Sequence, residues 1–141
     1  MKIDRIELRL IRLPLVHFFE TSFGRVYDQE FVLIRVDDGS LFGYGECVAD
    51  RTPYYSSETT ETEWHLLEDY LIPLVLGVEF TDPRDVFPAM KRVRGHNMAK
   101  AGLEMACWDL SAKIAGVPLW QLLGGQGTEI ASGVSVGIQD S

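Results

Sequence analysis

Small residues between positions 99 and 124 constrain the fold of this chain more than any other feature. Alanine, glycine and serine recur there, while larger apolar residues return at the three- and four-residue spacing of one helical face. Asn97 is predicted to cap the start of this helix, Gly116 to end it and Pro118 to prevent its continuation. A helix with so small a surface lets neighbouring backbones approach, so the segment predicts a closely packed structural helix without chemistry of its own.

An antiparallel meander of three strands is predicted before the helices. The strands are residues 2–13, 31–36 and 41–48. The first alternates apolar and charged side chains and is expected to end at Pro14, while the turn at residues 37–40 is typical of a hairpin. Gly43 and Gly45 fall on one face of the third strand, where glycine marks a close approach of another backbone or a bulge.

Helices are predicted to follow the sheet. Thr60 and Glu63 have the spacing of a capping box, and Pro73 should kink or end the helix that they begin. The pair Asp82-Pro83 is typical of the start of a second helix, which Gly95 would close. Because strands come first and helices afterwards, the chain predicts an α+β domain, with a three-stranded meander followed by a helical bundle.

The end of the chain has a different pattern. Residues 130–138 predict one more strand that has no partner nearby in sequence, and residues 140–141 are typical of the cap of a helix that does not follow. We therefore predict a domain at residues 1–127, and a linker with the first strand of a second domain at residues 128–141. Termination by chance is the alternative.

Charge and metal-ligand patterns exclude several function classes. A net charge of −8 argues against nucleic acid or an anionic membrane surface as a partner. Two distant cysteines and three isolated histidines have no metal-ligand spacing, so we predict no metal ligand and no catalytic residue in this chain. The charged N-terminus shows no signal peptide and no apolar run could span a bilayer, so we expect a cytoplasmic protein.

Two predicted loops carry the features of a ligand lid. Residues 17–30 combine aromatic side chains with hydroxyls, one arginine and a glycine, and residues 49–60 also carry aromatic side chains. This composition suits a loop that closes over a small ligand. The alternative is that the aromatic side chains cover the end of the sheet, and composition leaves both interpretations open. Glu46, near the end of a strand, is expected to be a partly buried carboxylate with a structural hydrogen bond.

The order of several motifs resembles one group of the enolase superfamily. The motifs are LPLVHFFETSFG, GYGEC, YYSSE, YLIP, GHNMAKAGLEMACWD and GVSVGI. Together they resemble the o-succinylbenzoate synthases and N-acylamino acid racemases, within the mandelate racemase and muconate cycloisomerase branch. The resemblance extends over essentially all 141 residues.

This resemblance implies a two-domain enzyme in which an N-terminal capping domain sits on a modified TIM barrel. In such enzymes a lysine removes a proton α to a carboxylate, and a divalent metal, usually Mg²⁺, stabilises the intermediate. The metal ligands and catalytic lysines would follow residue 141, and none is assigned here. The resemblance also implies a small carboxylate substrate, and we expect a homo-oligomer for the full-length protein.

The resemblance implies substrate-contacting residues in the two loops and in the predicted barrel strand. They are Thr21, Ser22, Phe23, Gly24 and Arg25 in the first loop, Tyr54 and Tyr55 in the second, and Ser135 in the strand. Their expected role is to exclude water and shape the pocket, not to transfer protons. Asp50 and Arg51 make the second loop more charged than expected of this group, which leaves other acylamino acid or dipeptide substrates open.

The expected function is the capping part of an o-succinylbenzoate synthase that acts in menaquinone biosynthesis and that also racemises N-acylamino acids. The fragment alone should be inactive. One alternative is another muconate cycloisomerase, epimerase or racemase of the superfamily. A second alternative is a stand-alone, non-catalytic domain that binds a ligand or serves assembly.

Overall fold

The computed structural model describes residues 1–22, 24–127 and 129–137. Phe23, one of the candidate residues, lies outside the described residues, as do Thr128 and residues 138–141. The sheet has three antiparallel strands in the order β1-β2-β3, as predicted. Their bounds are Arg5–Thr21 for β1, Gly24–Asp37 for β2 and Phe42–Cys47 for β3.

Strand β1 continues past Pro14, so the prediction that this proline ends the strand was wrong. Pro14 pairs with Asp28 of β2, and the register then shifts before pairing resumes at Phe19 and Val26. Because β1 lies at the edge of the sheet, a residue without an N–H donor is tolerated there. The result is one long hairpin that projects beyond β3.

The first helical region runs from α1 (Thr60–Leu66) through a π-helical turn (Leu67–Leu71) to α2 (Ile72–Val75). Its capping box is formed by Thr59 and Thr62, one residue earlier than the predicted pair of Thr60 and Glu63. The Thr60 hydroxyl instead donates to the Ala49 carbonyl at 3.0 Å. The irregular turn lies just before Pro73, whose missing N–H interrupts the helical hydrogen bonds as expected.

Asp82 caps the next helical region as predicted, because its carboxylate accepts from the Arg84 N–H at 2.9 Å. Only a 3₁₀ turn (Pro83–Asp85) and the short α3 (Val86–Ala89) follow, so the prediction of a helix as far as Gly95 was wrong. After Ala89 the backbone continues in tighter turns, in which the N–H groups of Lys91 and Val93 donate to the carbonyls of Pro88 and Met90, three residues earlier.

The long helix α4 (Asn97–Ala115) packs on the sheet at unusually short range, as the glycines predicted. A Cβ atom added at Gly43 would lie 2.2 Å from the Ala106 carbonyl oxygen, and one at Gly45 would lie 2.0 Å from that of Gly102. The strand backbone therefore touches the helix backbone directly. The core around this contact includes Val32, Ile34, Val36, Leu67, Leu71, Leu103 and Leu110.

Both ends of α4 use a left-handed residue. Gly116 has φ 67° and ends the helix as predicted. Asn97 is already helical, so the prediction that it caps the start was wrong; His96 holds that position with φ 51° and makes no side-chain capping bond. The cap for the free N–H groups comes from a distant carboxylate, described below.

After the short α5 (Leu119–Leu122), the described residues 129–137 form no strand and are exposed. Residues 130–137 of the predicted strand are therefore not paired into a sheet in this structure, because an extended segment needs a neighbouring strand to accept and donate its backbone hydrogen bonds. Ile138 lies outside the described residues. Among the helices described, none is both long enough and apolar enough to cross a membrane.

Candidate functional site

The tip of the β1–β2 hairpin gathers four of the predicted site residues. Thr21 ends β1 and pairs with Gly24, which begins β2 with φ 140°. Ser22 lies in the turn and is exposed, and Arg25 pairs across the hairpin with Glu20. The prediction of an irregular loop at residues 17–30 was therefore wrong, since these residues extend the sheet. The candidates nonetheless lie together at one exposed end of the molecule.

Aromatic side chains surround this tip and are poorly covered. Phe19 is 62% exposed and Tyr27 is 63% exposed. The Arg25 guanidinium lies 4.3 Å from the centre of the Phe18 ring and 3.1 Å from the Glu20 carboxylate. Exposed aromatic side chains grouped at one end of a hairpin are candidates for contact with another surface or a ligand.

The second predicted loop presents Tyr54 and Tyr55, which are 83% and 84% exposed. Arg51 in the same loop lies 2.9 Å from the carboxylate of Glu30 on β2. This ion pair joins the loop to β2 at Glu30, six residues after Gly24, so the unexpected charged residue contacts the body of the hairpin and not its tip. We call the hairpin tip (residues 18–27) and the tyrosine loop (residues 50–57) together the capping surface.

Buried carboxylates hold the base of the tyrosine loop. Glu58 is only 7% exposed, and its two oxygens accept from the backbone N–H groups of Met98 and Ala99 at 3.0 and 3.1 Å. It therefore provides the cap that α4 lacks locally. Glu46, which was expected to be partly buried, is exposed, because it points away from α4 on the alternating strand β3.

Glu63 lies beside this cap and is fully buried. One of its oxygens accepts from the Ala49 N–H at 3.3 Å, and the other has no hydrogen-bond partner among the residues described. Burial raises the pKa of Glu63 to about 7, with a smaller contribution from the charge of Glu58 and against the effect of the Ala49 bond. The local sequence pattern placed Glu63 in a capping box and gave no signal for Glu58, because the burial of these two carboxylates depends on contacts between distant parts of the chain.

Cys47 faces the same buried region and is not a reactive thiol. Burial, together with the nearby charges of Glu63 and Glu58, raises its pKa far above the ordinary value. Since the thiolate is the nucleophilic form, this cysteine is inert in the folded chain. Cys47 is therefore a packing residue of the core beneath α4.

Replacing Glu58 with alanine is expected to lower the free energy of unfolding by about 2 kcal/mol, because two N–H groups of α4 lose their acceptor. Glu58→Gln keeps one acceptor oxygen and should lose about half as much. Urea denaturation measures both. Glu61→Ala is the control, since Glu61 is exposed two residues beyond Thr59. An equal loss in Glu58→Ala and Glu61→Ala would contradict the capping role.

The chemical groups of the capping surface suit contact with a ligand more than proton transfer. It combines hydroxyls, a guanidinium and aromatic faces. In the part of the chain that the structure covers, no three His, Cys, Asp or Glu side chains are grouped to hold a metal ion. Ser135 lies in the exposed, strand-free segment 129–137, and its role stays a prediction.

Comparison with known proteins matches this chain to one protein family. Residues 5–124 match the family described as the N-terminal domain of mandelate racemase and muconate lactonizing enzyme. An o-succinylbenzoate synthase of Geobacillus stearothermophilus is 45% identical over 140 residues, which is 99% of this chain and 37% of that protein. An N-succinylamino acid racemase of Thermus thermophilus is also 45% identical, over 100% of this chain and 38% of that protein.

A solved structure agrees with the sequence comparison. An enolase superfamily member from Listeria innocua superposes with a TM-score of 0.92 at 30% identity, covering 100% of this chain and 38% of that one. The chain thus spans a little over a third of the length of these relatives. With the strand-then-helix architecture and the match over residues 5–124, this chain belongs to the mandelate racemase and muconate lactonizing enzyme family as an N-terminal capping domain of the enolase superfamily.

Proposed function

We propose that this chain is the capping domain of an o-succinylbenzoate synthase-like enzyme that also racemises N-acylamino acids. The observation that carries the proposal is the equal 45% identity to an o-succinylbenzoate synthase and to an N-succinylamino acid racemase, over nearly the whole chain. The full-length enzyme would remove a proton α to a carboxylate and dehydrate a cyclohexadiene carboxylate to o-succinylbenzoate, a step of menaquinone biosynthesis.

In this proposal, residues 1–127 cap the active site, and residues 128–141 are the linker and first strand of a barrel domain. Mg²⁺ would stabilise the negative charge that develops on the substrate. The residues described here do not form a site that fits the metal, so no step of the reaction is assigned to a metal ligand in this chain. The full-length protein would work as a homo-oligomer.

The capping surface would enclose the substrate. Its exposed aromatic rings and hydroxyls would exclude water from the reacting carboxylate. The residues proposed to contact the substrate are Thr21, Ser22, Phe23, Gly24 and Arg25 of the first loop, and Tyr54 and Tyr55 of the tyrosine loop. Ser135 would stand at the end of the first barrel strand, the edge at which TIM barrels place their active sites.

Assaying the full-length enzyme with both substrate classes tests the proposal. We expect turnover of the cyclohexadiene carboxylate and of N-succinylamino acids, and no turnover by the 141-residue chain alone. Absence of dehydration with retained epimerisation of dipeptides would refute the assignment to this group. Activity of the 141-residue chain by itself would refute its role as a cap without catalytic residues.

The role of the tyrosine loop is tested in the same enzyme. Replacing Tyr54 and Tyr55 together with alanine should lower kcat/KM by about tenfold or more, because water enters the closed site. Tyr44→Ala is the control, since Tyr44 is 43% exposed on the sheet, outside the capping surface. Equal loss of activity in the two variants, with unchanged melting temperatures, would contradict the lid role.

A further inference from the structure

A groove with unpaired positive charge lies between the first helical region and the turn that precedes α4. Its cavity volume is about 530 Å³, within the range of small-molecule sites. The walls are apolar on one side and basic on the other. The residues that matter here are Leu66, Tyr70, Leu74, Arg92, Arg94 and His96.

The charge distribution sets this groove apart. The chain has a net charge of −8, and every lysine and arginine before residue 91 or after residue 100 lies within ion-pair distance of a carboxylate. Within the described residues, Arg92 and Arg94 have no such partner. Asp69 also lines the groove, but its carboxylate contacts the His65 Nδ1 at 2.9 Å. The groove thus carries two guanidinium groups that form no ion pair with the described residues.

The turn that carries these arginines is fixed in position. The buried Lys100 ammonium donates to the Val93 carbonyl, between the two arginines. Gly95 and His96 both have a left-handed backbone, with φ 65° and 51°. Such a conformation is costly for a residue other than glycine and persists only where its surroundings impose it. Because the backbone of this turn is already ordered, binding of an anion would not carry the entropic cost of ordering that backbone.

We propose that this groove binds a small organic carboxylate. The acid group would lie on Arg92 and Arg94, whose planar guanidinium groups match a carboxylate with paired hydrogen bonds. An apolar body would lie against Leu66, Tyr70 and Leu74. This inference does not depend on the proposed enzymatic function, since it rests on the groove and its charges alone.

Titration of the ¹⁵N-labelled 141-residue chain with phenylacetate, followed by NMR, tests the proposal. We expect saturable shifts of the amide signals of residues 91–96, with millimolar or tighter affinity. Phenylacetamide, which has the same ring without the charge, and inorganic phosphate, which has the charge without the ring, should each bind at least about tenfold more weakly.

The double variant Arg92→Gln, Arg94→Gln should lower the affinity for phenylacetate by about tenfold or more. Arg84→Gln is the matched control, because Arg84 is exposed but paired with Asp82, and it should bind as the unaltered chain does. A melting curve confirms that each variant is folded. Absence of saturable shifts, or equal affinity in the double variant, would overturn the proposal. If phosphate bound as tightly as phenylacetate, the proposed contact between an apolar body and the side chains of Leu66, Tyr70 and Leu74 would be overturned.

Discussion

Replacing Gly45 with alanine is expected to destabilise the fold by about 3 kcal/mol and to lower the melting temperature by about 10 °C. The new Cβ would lie 2.0 Å from the Gly102 carbonyl oxygen and 2.8 Å from the Ala106 nitrogen. Both atoms belong to the backbone of α4, so no side chain can turn aside and the helix must move away from the sheet. Alanine would otherwise favour the strand, since glycine loses more backbone entropy on folding.

Gly133→Ala is the matched control for this experiment. A Cβ atom at Gly133 would meet nothing within 4 Å, and its backbone does not require glycine. The substitution should therefore change the free energy of unfolding by less than about 0.5 kcal/mol. Thermal and urea denaturation measure both variants. Equal stability of Gly45→Ala and the unaltered chain would show that the strand and helix do not touch as described.

This close contact could be predicted from the sequence because its signals are local and consistent. Two glycines on one face of a strand and a helix of small residues each indicate a neighbouring backbone, and the structure brings them together at Gly43 and Gly45. Pro14 shows the opposite case. A proline in a sequence predicts the end of a strand. Strand β1 nevertheless continues through Pro14, because β1 lies at the edge of the sheet, and the order of the strands cannot be read from the residues around Pro14.

Part of the candidate site could be predicted from local sequence, and part could not. Aromatic and hydroxyl residues marked the two candidate segments, and the structure places the candidate residues that it describes in both segments at exposed or half-buried positions. The support beneath them could not be predicted. Glu58 caps α4 by accepting from Met98, 40 residues later in the chain, and no periodicity connects positions so far apart. The barrel strand predicted at residues 130–138 stays a prediction, because a strand forms only against a partner.

Glu63 is expected to make the chain less stable as the pH rises from about 4.5 to about 7. Its pKa is raised from 4.5 to about 7 in the folded chain, where burial penalises the charged form. Between these values the folded chain keeps a proton that the unfolded chain has released, so the free energy of unfolding falls with increasing pH. At about 1.4 kcal/mol for each pKa unit, the fall across this range is of the order of 3 kcal/mol.

Glu63→Gln should remove this dependence. The amide keeps an oxygen for the Ala49 N–H and carries no charge at any of these pH values. We therefore expect the variant to match the unaltered chain near pH 4.5 and to be more stable by about 2–3 kcal/mol near pH 8, as measured by urea denaturation across the range.

Exposed Glu61 in the same helix is the control, and Glu61→Gln should leave the fall with pH in place. A fall of the same size in Glu63→Gln would place its origin in another group. Ionising Glu63 in the folded chain leaves a buried charge with one oxygen that has no partner among the described residues, so the folded chain resists ionisation and the free energy of unfolding falls as the pH rises.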